Sequence, residues 1–242
     1  MSTPIRIGLS IDFDFWAREL PEWDLGHSEN SVIMNSPIVW ISRYLHIDLQ
    51  KECDIGTYAD FEPNDVINRL DEKGIRIIKN TTLGIADSHK FAYNYFNRMK
   101  DNLDLIINLD AHHDSWSIPD KWVAQDVDCG NWVTALGIEN MWVYPTWKDP
   151  QTMPEPISVK HRYAWKDFNF TDNNIVMAIF LCRSSAWVPP HLDNDFGDLV
   201  ETLSNEFYPQ YLQNPLIRQG IDYKSLARER KKMQRQIQGF KP

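Results

Sequence analysis

The chain has 242 residues, 43% of them hydrophobic and 24% charged, with a formal net charge of −9. That length and composition fit one large soluble α/β domain or two small ones, and the acidic balance argues against nucleic acid as a partner, since phosphate binding needs a basic surface. No apolar run approaches the roughly 20 residues of a membrane span, no signal-peptide pattern opens the chain, and Cys53, Cys129 and Cys182 have neither an even count nor metal-type spacing, so a reduced, cytoplasmic protein without a membrane partner is expected.

Taken in order, residues 5–11 (Ile-Arg-Ile-Gly-Leu-Ser-Ile) form a first strand, with Asp12 and Asp14 at its C-terminal end. Residues 36–50 have mixed periodicity. Pro63-Asn64-Asp65 opens a helix capped by Asn64 or Asp65 and ended by Gly74, and Ile75–Ile78 follows as a strand. Ser88 caps a helix running to about Lys100, with His89 at its start. Asp104–Leu109 is a short buried strand, and Asp110, His112 and Asp114 come directly after it. Residues 131–137 read as a short helix, Met141–Tyr144 as a strand stopped by Pro145, Lys148–Pro156 as a loop, Ile175–Cys182 as a fully buried strand, and residues 192–206 as a helix after Pro189-Pro190. The segment Tyr223–Phe240 is basic and helical in propensity, and it reads as a solvated terminal helix, residues 223–242, appended to a domain over residues 1–222. The alternation predicts a single three-layer α/β domain: a mostly parallel central sheet, helices on both faces, and the site at the strands' carboxyl ends.

The acids carry the functional signal. Asp110, His112 and Asp114 recur with a period of two, which places all three side chains on one side if the backbone stays extended. Buried like charges raise one another's pKa and cost stability unless a cation is present. Two carboxylates and an imidazole suit manganese, zinc or iron. Asp12 and Asp14 repeat the logic at another strand end, so a shared dinuclear site is expected, with His89 as the remaining ligand. His113 is out of phase with its neighbours and is expected to point away from the metals. Ten tryptophans are compatible with core packing or with a peptide groove.

The set D-A-H-x-D (Asp110, His112, Asp114), D-x-D (Asp12, Asp14) and a separate His (His89) resembles the ureohydrolase–deacetylase superfamily of arginases, agmatinases and histone deacetylases. Asp87-Ser-His89, Asp128-Cys-Gly-Asn131-Trp132, Trp142-Val-Tyr-Pro145 and Ser184 with Pro189-Pro190 resemble a small, divergent arginase-like branch that includes peptide arginases. The resemblance implies an arginase-like fold with permuted strand order, because the D-x-D strand here precedes the D-A-H-x-D strand. It implies two Mn²⁺ ions, one held by His89, Asp110, Asp114 and Asp12, the other by His112, Asp110, Asp12 and Asp14. The implied reaction releases urea from arginine residues of a peptide, leaving ornithine. Free arginine, agmatine or another small guanidine, and zinc-dependent deacetylation, are the alternatives. Asp114 would also orient the reacting water, and Asp128 and Asn131 would act at the substrate side. Arg183 and Ser184 would border the pocket. The guanidinium needs an acidic partner; Glu19, Glu22, Asp24, Glu29 and Asp128 are candidates, and many members oligomerise, which leaves a homo-oligomer open.

Overall fold

The computed structural model describes residues 3–18, 29, 36–46, 60–116, 127–213, 218 and 222–239. Its strands are β1 (Ile5–Asp12), β2 (Ile77–Ala86), β3 (Leu105–Leu109), β4 (Glu139–Tyr144), β5 (His161–Ala164), β6 (Asn174–Cys182) and β7 (Tyr208–Tyr211). They form one sheet in the order β5-β4-β3-β1-β6-β2-β7, with every pair parallel. The helices are α1 (Ser36–His46), α2 (Val66–Glu72), α3 (Lys90–Asn97), α4 (Trp132–Leu136), α5 (Asp193–Glu206) and α6 (Tyr223–Gly239).

A parallel sheet buried on both faces needs strands apolar on both sides, and the central strands meet that requirement. Ile7, Leu9 and Ile11 of β1 pack with Leu105, Ile107 and Leu109 of β3 and with Val66 and Leu70 of α2 and Phe196, Leu199 and Leu203 of α5. The opposite face carries Ile106, Ala178 and Phe180 against Ala92, Tyr95 and Phe96 of α3 and Trp132, Val133 and Leu136 of α4. The expected three-layer α/β architecture is therefore present, with helices on both faces. Among the described residues no helix is long and apolar enough to cross a membrane.

Small residues let α3 lie close to the sheet. A Cβ at Gly8 would stand 2.7 Å from Ile106 Cδ1 and 3.0 Å from the Phe96 ring, and one at Gly84 would stand 2.9 Å from the Tyr95 ring. The close approach carries the start of α3, and with it His89, down to the strand ends. β1 and β3 are hydrogen-bonded neighbours, with Ile11 level with Leu109. The two acid-bearing strand ends thus meet although D-x-D comes first in the chain.

Several elements differ from the expectations. The strand expected at Ile75–Ile78 starts at Ile77 and runs on to Ala86. Polar Lys79-Asn80-Thr81-Thr82 hides its continuity, and the pairing with β6 is irregular there, between Ile77 and Thr82. Edge strands β5 and β7 were not expected: three of four residues in β5 and all four in β7 are exposed, so neither has an apolar signature. Ser88 does not cap α3; its hydroxyl donates to Glu29, and the residue at the cap position is His89. The mixed-periodicity segment contains α1, and α6 packs against it. Gly74 ends the α2 turn at φ +85°, as the sequence predicts.

Candidate metal centre

The carboxyl ends of β1 and β3 meet the start of α3 here. Asp12 is the last residue of β1, and its Oδ1 accepts the Asp14 backbone N–H at 3.1 Å, starting the 3-10 turn Phe13–Phe15 that aims Asp14 back at the site. β3 stops at Leu109, so Asp110, His112 and Asp114 do not share a side through an extended backbone. They converge through a bend instead: Asp110 Oδ1 accepts the His112 N–H at 2.7 Å, and Asp114 turns into the left-handed region at φ 49°. A non-glycine residue at such a φ is uncommon and is held there by its surroundings.

The outcome is two overlapping triads, Asp12–His89–Asp110 and Asp14–Asp110–His112, each with its ligand atoms within 4.8 Å of one another. His89 Nδ1 lies 3.0 Å from Asp12 Oδ2, 3.2 Å from Asp110 Oδ2 and 2.9 Å from Asp114 Oδ2. His112 Nδ1 lies 2.8 Å from Asp14 Oδ2 and 3.6 Å from Asp110 Oδ1. Asp110 thus turns one oxygen to each histidine.

The donor set fits a metal on an independent count. His89 Nδ1 is buried and makes no hydrogen bond, despite the three carboxylate oxygens around it. The other ring nitrogen, Nε2, sits 2.6 Å from Ser10 Oγ, which leaves the Nδ1 lone pair facing the carboxylates if Nε2 carries the proton. Ligands bound at about 2.1 Å to an octahedral ion stand about 3 Å apart, which is the spacing found around His89.

Electrostatics tell the same story. Burial pushes Asp14 well above the usual carboxylate range, reinforced by Asp12 and Asp110. Burial and Asp110 push Asp114 up to about 7. Burial opposes a charge on His89, yet Asp114, Asp110 and Asp12 hold it well above the ordinary imidazole value. Burial also works against ionised Asp110, but the neighbouring His112 and His89 imidazoles hold it well below its ordinary value. Without a cation, protons must occupy the cluster.

A shell of donors fixes the ligands. Trp132 Nε1 donates to Asp114 Oδ2 at 2.7 Å, Asn108 Nδ2 to Asp110 Oδ2 at 3.1 Å, and the Ala111 N–H to Asp14 Oδ1 at 3.2 Å. Ser184 Oγ donates to Asp12 Oδ2 in a short bond. Ser10 and Asn108 were not singled out from the sequence, and Trp132 was named there only as the end of the segment Asp128–Trp132. The available signal was a polar residue inside each of two apolar strands, Ser10 in β1 and Asn108 in β3, both buried.

The other expected site residues have diverse placements. His113 turns away from the cluster, accepting the Ser115 N–H at Nδ1 (2.9 Å) and lying 3.1 Å from the Pro154 carbonyl at Nε2. Arg183 is buried and gives its fork to Asp87, with bonds of 2.6 and 2.7 Å. Asp128 accepts the Gly130 N–H at 2.9 Å, and its own N–H goes to Asn131 Oδ1 at 3.0 Å, so both stabilise the loop before α4. Glu19, Glu22 and Asp24 lie outside the described residues. Glu29 is buried, and its Oε2 accepts from Ser88 Oγ at 2.8 Å.

The fold and site define a parallel α/β protein with a buried His/Asp cluster compatible with a metal site. No family profile, curated protein or solved structure matches this chain.

Proposed function

We propose that this protein is a dinuclear manganese hydrolase of the ureohydrolase–deacetylase type, which cleaves the guanidino group of arginine residues in a peptide to give ornithine and urea. The observation that carries the reading is the sharing of Asp110 between two His/Asp triads. His89, Asp12, Asp110 and Asp114 would hold one ion. His112, Asp14, Asp110 and Asp12 would hold the other. Carboxylates with imidazoles match manganese, and two such ions make a water nucleophilic near neutral pH.

The chain's own residues supply positioning. Trp132 pins Asp114, so that its carboxylate can orient the reacting water as well as ligate. For the guanidinium partner we assign Glu29, the buried acid bonded to Ser88 next to His89. A planar guanidinium pairs with a carboxylate through two parallel bonds. Trp187 stands beside the cluster, 5.8 Å from the His112 ring. The His112 side chain retains 19% exposure while the other ligands are nearly sealed, so substrate would approach at His112.

The test is urea detection with mass spectrometry on Mn²⁺-loaded protein, given free arginine and an arginine-containing peptide in parallel. Ornithine appearing only within the peptide supports the proposal. Turnover of free arginine alone reassigns the enzyme to small guanidines. Two bound ions with turnover of neither substrate refutes hydrolysis of arginine, free or in a peptide, and moves the assignment to another guanidine or an amide.

A further inference from the structure

The loop after β6, residues 183–190, touches both halves of the metal cluster. Ser184 reaches Asp12, and Trp187 stands beside His112. Ser184 does so at φ 50°, a conformation that a non-glycine residue keeps only when its surroundings impose it.

The Ser184 carbonyl accepts from the Trp187 and Val188 N–H groups at 2.8 and 2.9 Å, and two guanidinium groups hold the carbonyls of the residues that follow. Arg218 Nη1 donates to the carbonyls of Ser185 and Val188, both at 2.7 Å, and Arg43 Nη1 donates to the Ala186 carbonyl at 2.9 Å. Three of the loop's carbonyls are thereby gripped from one side. Both guanidiniums also stand against fully buried Trp40, Arg43 at 4.5 Å and Arg218 at 5.8 Å from its ring centre. Arg218 in turn pairs with Asp193 through Nε at 3.2 Å and a shorter Nη2 contact, and Arg183 Nη1 lies 3.3 Å from the same carboxylate. The result is an alternating chain, Asp87–Arg183–Asp193–Arg218, running from two residues before His89 to the segment beyond β7. Each charge in it is matched, so it offers no ligand a site. Buried ion pairs add little net stability, which leaves geometry as what this one supplies.

We infer that Arg218 is a positioning residue for the metal centre: by holding the Ser185 and Val188 carbonyls it keeps Ser184 on Asp12, and so sets manganese affinity from outside the ligand set. The inference rests on the metal-centre reading but not on the identity of the substrate.

The test is calorimetric titration of the full chain with Mn²⁺, comparing the parent, Ser184→Ala, Arg218→Lys and the double variant, with melts of each in chelator. Lysine keeps a charge opposite Asp193, but its single ammonium does not reproduce the guanidinium fork. Arg218→Lys is expected to weaken manganese binding 10- to 100-fold, the scale of lost support around ligands, and Ser184→Ala similarly. The double variant is expected to fall no further than the worse single one, because both act through one contact. Losses that multiply, or an Arg218→Lys affinity within twofold of the parent, overturn the inference. Should Arg218→Lys fail to fold, Arg43→Gln goes through the same cycle with Ser184→Ala: a non-multiplying loss supports the inference, and a multiplying loss or none overturns it. A parent that binds no Mn²⁺ instead refutes the metal-centre reading, and this inference with it.

Discussion

Replacing Asp14 with asparagine should leave the metal-free protein as stable as the parent, or more stable, while removing a large part of the stabilisation by manganese. Burial, with Asp12 and Asp110 alongside, holds the Asp14 pKa well above the ordinary range, which favours its neutral form in the metal-free protein. Asparagine mimics that neutral form. Its Oδ1 can still accept the Ala111 N–H, and its Nδ2 can donate to His112 Nδ1 in place of the 2.8 Å contact. No buried group is orphaned, so no penalty of about 1–3 kcal/mol arises. With metal the sign reverses. An ion at about 1,000 times its Kd stabilises by about 4 kcal/mol, and this substitution takes a charged ligand from the His112 ion. A chain of 242 residues unfolds with an entropy near 0.5 kcal/mol/K by the usual per-residue value. Losing one ion's contribution should therefore lower the manganese-induced rise in Tm by about 8 °C. Differential scanning calorimetry in chelator and in Mn²⁺ reads both limbs. A metal-free variant destabilised by more than about 1 kcal/mol with its manganese shift intact would show that Asp14 is a structural group, and the two-triad argument would fail.

Other expectations concern the same cluster and its frame. Asp114 has a folded pKa raised to about 7, so the folded state binds more protons than the unfolded one between about pH 4 and pH 7 and the metal-free protein loses stability as pH rises through that window. Mn²⁺ should reverse the trend by displacing protons; calorimetry in two buffers of different ionisation enthalpy measures the release, and binding at pH 6 without proton release contradicts this picture. His113→Ala should lower stability by about 2–4 kcal/mol through two lost buried hydrogen bonds and packing, yet keep the parent's manganese stoichiometry; a loss of metal equal to that of His112→Ala would overturn the outward placement. Gly74→Ala combines φ +85° with a Cβ 2.1 Å from the Phe170 carbonyl oxygen, and denaturant melts should show a loss of at least about 2 kcal/mol. A smaller loss would mean that the α2–β2 turn yields.

Much of this fold was legible because its centre is written in largely apolar runs. Ile7–Ile11, Leu105–Leu109 and Ala178–Cys182 are buried on both sides and announce themselves. The edges are not: Tyr208–Tyr211 and His161–Ala164 are exposed and become strands only by pairing with β2 and β4. Helix α1 depends similarly on tertiary partners, since Ile38 and Ile41 are exposed while Trp40 is buried by contacts distant in sequence. The ligand residues were readable as types and spacings, because few arrangements justify so many acids at strand ends. Their convergence was only partly readable. Asp114 arrives through a left-handed turn rather than an extended run, and Arg183, which directly precedes Ser184, turns its charge into Asp87. The partner of a long cation is set by fold, not by neighbours along the chain.

The position of β6 in the sheet has a consequence for the order of events in synthesis. His89 belongs to the β2 side, whereas the acids belong to β1 and β3, and in the strand order β3-β1-β6-β2 only β6 joins the two sides. A growing chain that has made β1, β2 and β3 already holds all six proposed ligands, but it has no way to seat them together until residues 174–182 emerge and insert between the halves. The same stretch ends one residue before the loop that secures Asp12. Pairing over such sequence distances is slow to form, so on the proposed metal-centre reading metal capture is a late event that follows completion of the sheet, and a nascent or truncated chain ending before β6 offers an ion only scattered carboxylates.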